Sequence, residues 1–575
     1  MTLEPIWRTH YEDGVAEAVD TVNHLLTQDL TETVSRYPGH TALHLVLKYL
    51  PLGLTLQSKI TYRELDLASN RLAHALKSLG LNPGERVAIM LPNIPQYVIS
   101  LYGILKAGLV VVNANPIYTA PELEHIFSDS NAKAVICMSG GLETVKSIQA
   151  NTEIEHILIT DINETLSAIP RKLSAKQLMA LGHMAEVVYG GGVYNLHLLM
   201  SQQTARSMAP AGEPDSMAVL QYTGGTTGVP RAAVLTHRSL GTNTSQTRAW
   251  FAKARDGEEV MMGALPFFHI FGLAITVLLS VRIGARIVIT PNPRDTEQNL
   301  RLVSKEGITV FPGVPALYNA AINHEKAGEY DLSSVEYCIS GGAPLPMEVQ
   351  ETFNRMTGGN LVEGYGLTEC SPVVAANPLK GEARDGKIGL PFPSTEIRIV
   401  NVEQDEDDNY VDAEPGAEGE LCVRGPQLMK EYWQQPEATA ETIDQDGWLH
   451  TGDIVTMDDD GYLAVVDRKK ELILVGGFNV VPREVEEVLY AHPAVLEAAV
   501  AGIPDEGSGE RVKAWVVLHE GQQATEDEIR DYCRKSLTGY KVPREVEFKD
   551  ELPKSLVGKI LRRLLVEAET GQTAT

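Results

Sequence analysis

Along most of this chain the apolar positions switch repeatedly between two periods. Residues 62–79 place Leu67, Leu72, Ala75, Leu76 and Leu79 at helical spacing, and Gly80 supplies a stop. Residues 86–91 form a short unbroken apolar run, as a buried strand does. Helical spacing returns over 94–106, strands are expected at 109–112 and 134–137, and a helix at 121–128 lies between them. Such alternation predicts a parallel sheet with helices on its faces. Residues before about 58 lack this rhythm and are expected to be irregular. So are residues 161–215, with Gly190-Gly191-Gly192 and a polar Pro/Gly connection at 209–214. A helix is expected over 237–251, with strand and helix signals continuing through Ser340.

Two later changes of pattern suggest further units. Gly416, Gly419 and Gly425 bracket a short strand at 420–423, as in a small β-subdomain. At Asp467-Arg468-Lys469-Lys470 the pattern restarts, with strands at 472–475, 497–502 and 512–518 and helices at 483–490 and 526–535. The expected organisation is α/β, with a large N-terminal domain over 1–466 and a separate C-terminal domain over 467–575. No short-period repeat is evident.

Charge narrows the function classes. The net charge of −27 argues against non-specific nucleic-acid binding and, a local basic patch apart, against strong attraction to an anionic membrane. Glu403, Asp405, Glu406, Asp407 and Asp408 read as a solvated loop. The five cysteines, Cys137, Cys338, Cys370, Cys422 and Cys533, are scattered and form no Cys-x-x-Cys pair, as in a reduced cytoplasmic protein without structural zinc. Cys370 has no obvious base beside it and is a poor candidate nucleophile. The first residues lack the basic start and apolar core of a signal peptide. The apolar stretches at 97–112 and 274–289 are interrupted by Lys106, Arg282 and Arg286 and read as core.

The candidate chemistry centres on Tyr222-Thr223-Gly224-Gly225-Thr226-Thr227-Gly228-Val229-Pro230-Arg231. Glycines permit a tight loop and close approach to a ligand, and successive N–H groups with threonine hydroxyls can cradle a phosphate. The Gly-Lys-[Ser/Thr] ending of a Walker loop is absent. Alone, this run serves equally well as a Gly/Thr-rich surface turn.

Five further segments accompany it: Pro266-Phe267-Phe268-His269; Ser340-Gly341-Gly342-Ala343-Pro344; Glu363-Gly364-Tyr365-Gly366-Leu367-Thr368-Glu369; Gly447-Trp448-Leu449-His450-Thr451-Gly452-Asp453; and Pro553-Lys554-Ser555-Leu556-Val557-Gly558-Lys559-Ile560. In order and spacing the six resemble the adenylate-forming superfamily, and the whole chain looks most like its bacterial long-chain fatty-acid–CoA ligases. The resemblance implies a small β-barrel-like subdomain, a mobile α+β C-terminal domain, and ATP, Mg2+ and coenzyme A as cofactors. It implies attack of a fatty-acid carboxylate on the α-phosphate of ATP, then displacement of AMP by the thiol of coenzyme A.

The same resemblance implies roles by position. Thr223, Gly224, Gly225, Thr226, Thr227 and Gly228, following Tyr222, would hold the β- and γ-phosphates. Arg231 stands where many relatives carry lysine, and Ala232 where many carry glycine, so the charge is kept and its geometry changed. Glu369 would bind magnesium, and Thr368 would donate to the α-phosphate. Tyr365 would face adenine across from Gly341, Gly342 and Ala343, within the run Glu363, Gly364 and Gly366. Asp453 and Arg468 would hold the ribose, and Lys559 would bridge carboxylate and α-phosphate. Lys470 would be the hinge, and Gly476, Gly477 and Phe478 would line the pantetheine tunnel after rotation. His269 would gate or orient the carboxylate, while Ile270-Phe271-Gly272-Leu273 shows no tryptophan gate.

Each residue also has a plainer reading. Tyr365 and His269 could be packed core, Asp453 a turn residue, Glu369 a helix-start carboxylate, and Lys559 and Lys470 solvated lysines. The alternative functions are a medium-chain or aryl-acid CoA ligase, an enzyme loading a carrier protein, or a non-catalytic acyl-binding protein. The resemblance is also compatible with a homodimer, and a substrate that partitions into lipid with reversible peripheral contact at the inner membrane, although no amphipathic basic helix stands out as an anchor.

Overall fold

The computed structural model describes residues 5–50, 55–180, 184–223, 230–401, 410–468, 471–475, 478–505, 509–554 and 560–570. The alternating pattern gives two large, mostly parallel sheets. One has seven strands in the order Val193–Asn195, His156–Thr160, Ala132–Met138, Arg86–Met90, Val110–Asn113, Met217–Thr223 and Arg231–Thr236. All its neighbours are parallel except the last two strands, which form a hairpin around the Gly/Thr loop with Thr223 paired to Arg231. The other has nine strands, with a parallel centre of Thr41–Tyr49, Arg286–Ile289, Val260–Gly263, Val310–Gly313, Tyr337–Ser340 and Asn360–Gly366.

The helices Tyr62–Ser78 and Pro95–Lys106 pack together within one continuous apolar core that includes strands of both sheets. Pro95–Lys106 is buried along nearly its whole length, which explains its all-round apolar character. At Gly103 a Cβ would come within 2.7 Å of the Leu72 side chain, so glycine sets how closely these helices approach. Lys106 ends the helix by donating to Asp66 Oδ1 at 2.6 Å. The two interrupted apolar stretches are core, as expected, and no helix among the described residues is long and apolar enough to cross a membrane.

The N-terminal sixty residues correct the reading from sequence. They hold a helix, Leu26–Arg36, and the strands Thr41–Tyr49 and Thr55–Thr61. The helix exposes few apolar positions to pattern recognition, because its buried face includes Thr27, Asp29 and Thr33. Thr41–Tyr49 sits inside the nine-stranded sheet with five successive residues buried, so it shows no alternation. Likewise, the stretch read as irregular after residue 161 contains helices Ala168–Ala180 and Leu196–Ser201.

A four-stranded antiparallel sheet follows, formed by Glu396–Val400, Gly419–Arg424, Leu449–Met457 and Leu463–Arg468. It realises the small β unit expected around residue 420. The acidic run at 403–408 lies outside the described residues. Beyond it, strands between Ile473 and Phe548 form another sheet, with helices Pro482–Tyr490, Glu526–Arg534 and Arg562–Thr570 and apolar clusters of its own. All five cysteines are buried and free, and burial pushes the Cys370 thiol well up, against a nucleophilic role.

Candidate functional site

In parallel sheets, ligands bind beyond the carboxyl ends of the strands. Here the carboxyl ends of both large sheets are tied together by buried amides. Asn93, just after Arg86–Met90, donates to the carbonyls of Gly263 and Leu265 at 3.1 and 2.8 Å and accepts from the Phe267 N–H at 2.9 Å. Gln221 donates to Phe268 O at 3.1 Å and accepts from Asn113, which in turn accepts from the Tyr97 hydroxyl. The turn Pro266-Phe267-Phe268-His269 is therefore clamped from the opposite sheet. Asn93 and Asn113 carried no motif, and Gln221 stands just ahead of the Gly/Thr run, so the fold reveals what these amides do.

His269 itself is half-buried, and burial lowers its pKa to about 4. The Phe271 N–H donates to its Nδ1 at 3.3 Å, which assigns the proton of the neutral ring to Nε2. The following segment, Gly272–Leu278, is a π-helical turn. At Gly272 a Cβ would lie 2.1 Å from Pro266 O, so this tight return requires glycine.

The hairpin mouth is closed by the Thr223–Arg231 pair, with Thr223 Oγ1 donating to Arg231 O at 3.4 Å. Gly224, Gly225, Thr226, Thr227 and Gly228 lie outside the described residues. Tyr222 turns its hydroxyl to Asp129 Oδ2 at 2.6 Å, and burial with that neighbouring carboxylate pushes its pKa up. The Arg231 guanidinium lies over the Tyr432 ring, 5.8 Å from its centroid. The Tyr432 hydroxyl donates to Glu369 Oε1 at 2.7 Å. Thus the loop exit and the Glu369 turn, far apart in sequence, meet across a tyrosine that no motif marked.

On the nine-stranded sheet, Gly341 follows the strand Tyr337–Ser340, and its N–H donates to Gly313 O at 3.2 Å. A Cβ there would lie 3.6 Å from Gly364 O and 3.1 Å from the Phe271 ring. Gly342 has φ +82°, a conformation suited to glycine, and leads into Ala343. At Gly366 a Cβ would fall 2.1 Å from Pro372 O. Tyr365, between Gly364 and Gly366, donates its hydroxyl to Asp453 Oδ2 at 2.5 Å. Its pKa is raised well above normal by burial, then by Asp453. Asp453 is buried on strand Leu449–Met457 and paired in register with Arg468. Glu363 is also buried, and its carboxyl is pushed up to about 7 by burial, against the opposing influence of Arg483.

Thr368 and Glu369 occupy a single 3-10 turn, Thr368–Cys370, after the strand Asn360–Gly366. With Oε1 of Glu369 engaged by Tyr432, its Oε2 has no protein partner among the described residues. No cluster of three His, Cys, Asp or Glu side chains suited to a metal occurs among the described residues. A lone carboxylate fits a hard cation that takes its other ligands from phosphates and water, as magnesium does. Lys470, Gly476, Gly477 and Lys559 lie outside the described residues. Phe478 begins a strand, Phe478–Val480, paired antiparallel with Ile473–Val475.

Comparison with known proteins gives this arrangement its class. Residues 30–433 match the AMP-binding enzyme family, and residues 484–559 match the AMP-binding enzyme C-terminal domain. The structure of ATP-bound MatB from Rhodopseudomonas palustris superposes with a TM-score of 0.81 at 26% identity, covering 95% of this chain and 99% of that one. The anthranilate CoA ligase AuaEII in complex with anthranoyl-AMP gives 0.80 at 26% identity, covering 96% and 98%. The fold is that of the adenylate-forming enzymes. The long-chain-fatty-acid–CoA ligase of Escherichia coli O157:H7 is 40% identical over 580 aligned positions, covering 99% of each chain. The chain belongs to the AMP-binding enzyme family, among its long-chain fatty-acid–CoA ligases.

Proposed function

We propose that this protein activates a long-chain fatty acid with ATP and passes the acyl group from the adenylate to coenzyme A, with AMP and pyrophosphate as the other products. The observation that carries this reading is the meeting of the Thr223–Arg231 loop mouth and the Glu369 turn, from two different sheets, across Tyr432. Adenylation joins two anions, so the site must neutralise charge and fix geometry. The Gly/Thr loop and Arg231 hold the outer phosphates, and Thr368 donates to the α-phosphate. Glu369 would hold magnesium, which supplies charge neutralisation when bound. Tyr365 and the Gly341–Ala343 backbone sandwich adenine, while Asp453 and Arg468 hold the ribose. His269, neutral with its proton on Nε2, orients the carboxylate at the acyl mouth. Lys559, carried in by the C-terminal unit, bridges carboxylate and phosphate. Rotation about Lys470 then replaces it with the Gly476-Gly477-Phe478 loop for thioester formation.

Burying a methylene is worth about 0.8 kcal/mol, so eight more sheltered carbons add roughly 6 kcal/mol. Competition among palmitate, octanoate and benzoate for thioester formation tests the acid: palmitate is expected to dominate, and dominance of either rival would reassign the substrate. A thioester formed only on a carrier protein would reassign the acceptor.

A lipid-partitioning substrate also makes contact with an anionic bilayer part of this proposal. Helix Ala168–Ala180 presents Ile169, Lys172, Lys176 and Met179 on one exposed stripe, with Ile169 74% exposed, opposite the buried Ser174. No acidic residue occurs between Glu164 and Glu186. Ile169→Asp with Lys172→Glu is expected to abolish sedimentation with phosphatidylglycerol vesicles; sedimentation equal to the unaltered protein would remove this surface from the account.

A further inference from the structure

We infer that Tyr432 is a positioning residue for adenylation, a strut that fixes the Glu369 carboxylate against the mouth of the Gly/Thr loop, with Arg231 as its partner on the loop side. This rests on the reading of Glu369 as the carboxylate that receives magnesium. The backbone makes the argument first. Lys430 N–H donates to Val234 O at 3.0 Å, Val234 N–H to Glu431 O at 2.9 Å, and Trp433 N–H to Ala232 O at 2.8 Å. The segment is thereby bonded to the strand that leaves the loop. At its other end, Met429 N–H donates to Glu369 O at 2.6 Å. One short stretch thus touches both halves of the phosphate site.

The Tyr432 side chain completes the bridge. Its residue is 8% exposed, and its N–H is fixed by donation to Thr439 Oγ1 at 2.9 Å. Its hydroxyl reaches Glu369 Oε1 at 2.7 Å, and its ring lies under Arg231 at 5.8 Å. A glutamate side chain left to itself samples several rotamers, and fixing one oxygen beforehand lowers the entropy lost when the other takes a ligand. Arg231 gains a reason too. A planar guanidinium can lie over an aromatic face while its donors point elsewhere, whereas an ammonium is a point charge on a flexible stem.

The experiment is calorimetric binding to the full-length protein of three ligands: ATP with magnesium, ATP with chelator, and AMP with chelator. Unaltered protein, Tyr432→Phe, Glu369→Gln and the double variant are compared. Tyr432→Phe keeps the ring and is expected to weaken binding of ATP with magnesium about tenfold. Binding of the two metal-free ligands should change by less than about twofold, and the thermal midpoint by less than about 2 °C. In the Glu369→Gln background, Tyr432→Phe should cost nothing further. Unchanged affinity for ATP with magnesium overturns the inference, as does an equal loss for all three ligands, which would mark a packing role. If the unaltered protein binds ATP equally with and without magnesium, or Glu369→Gln loses nothing, the reading of Glu369 falls and takes the strut with it. Metal dependence kept in full by Tyr432→Phe defeats the strut alone.

Discussion

The large body and the C-terminal unit hold their candidate residues in different ways. In the body, the 266–269 turn is clamped by Asn93 and Gln221, the Asp453 carboxylate by Tyr365, and the Glu369 turn by Met429 and Tyr432. These bonds are short and buried or part-buried, and they join segments 47 to 174 residues apart in sequence. The C-terminal sheet has its own apolar clusters, and Arg483 reaches the body through polar contacts, donating to Val465 O at 2.8 Å and facing Glu363. A preorganised electrostatic site costs no reorganisation at the moment of reaction, whereas a unit docked through polar contacts can change its docking. Under the proposed function, nucleotide binding falls to the body and the exchange between half-reactions to the unit that docks on it.

The largest effect that would sharpen this contrast is expected from Lys559→Ala. Loss of one well-placed donor costs about 3 kcal/mol or more in the transition state. Pyrophosphate exchange should nearly vanish, while thioester formation from supplied acyl-adenylate survives; equal loss in both would break the division. Next comes Glu363→Gln. The folded-state pKa of Glu363 is raised to about 7, so the folded state holds a proton that the unfolded chain releases near pH 4.5. Its stabilising contribution is complete below about pH 4.5 and is lost as pH rises through 7. The amide should therefore make denaturant unfolding at pH 8 more costly by roughly 3 kcal/mol and leave stability at pH 4 nearly unchanged. A pH-independent difference would contradict the assignment.

Lys470→Pro should slow thioester formation about tenfold while changing pyrophosphate exchange little, since a fixed φ limits the hinge. Single-turnover measurement of the two steps checks it, and an equal slowing of both would refute a hinge. The smallest expected effect is that of Tyr365→Phe, which removes one hydrogen bond to Asp453 and should raise KM for ATP about fivefold with kcat nearly kept. A fall in kcat alone would place Tyr365 in the chemical step instead.

Much of this architecture is legible in the sequence. The parallel sheet between residues 86 and 138 follows from alternation of period. What escaped the sequence has physical causes. The helix Leu26–Arg36 buries threonines and an aspartate whose partner, Arg282, lies far along the chain. The strand Thr41–Tyr49 is covered on both faces and shows no period of two. Asn93, Gln221 and Tyr432 act through contacts of long sequence separation, and a lone amide or phenol carries no local signature.

The most direct test of the two-step account follows pyrophosphate exchange and AMP release together, with palmitate, ATP and magnesium, first without and then with coenzyme A. The account predicts exchange without coenzyme A, little AMP release, and continuous AMP release with stoichiometric palmitoyl-CoA once coenzyme A is added. Absence of exchange until coenzyme A is present, or sustained AMP release without it, would contradict it.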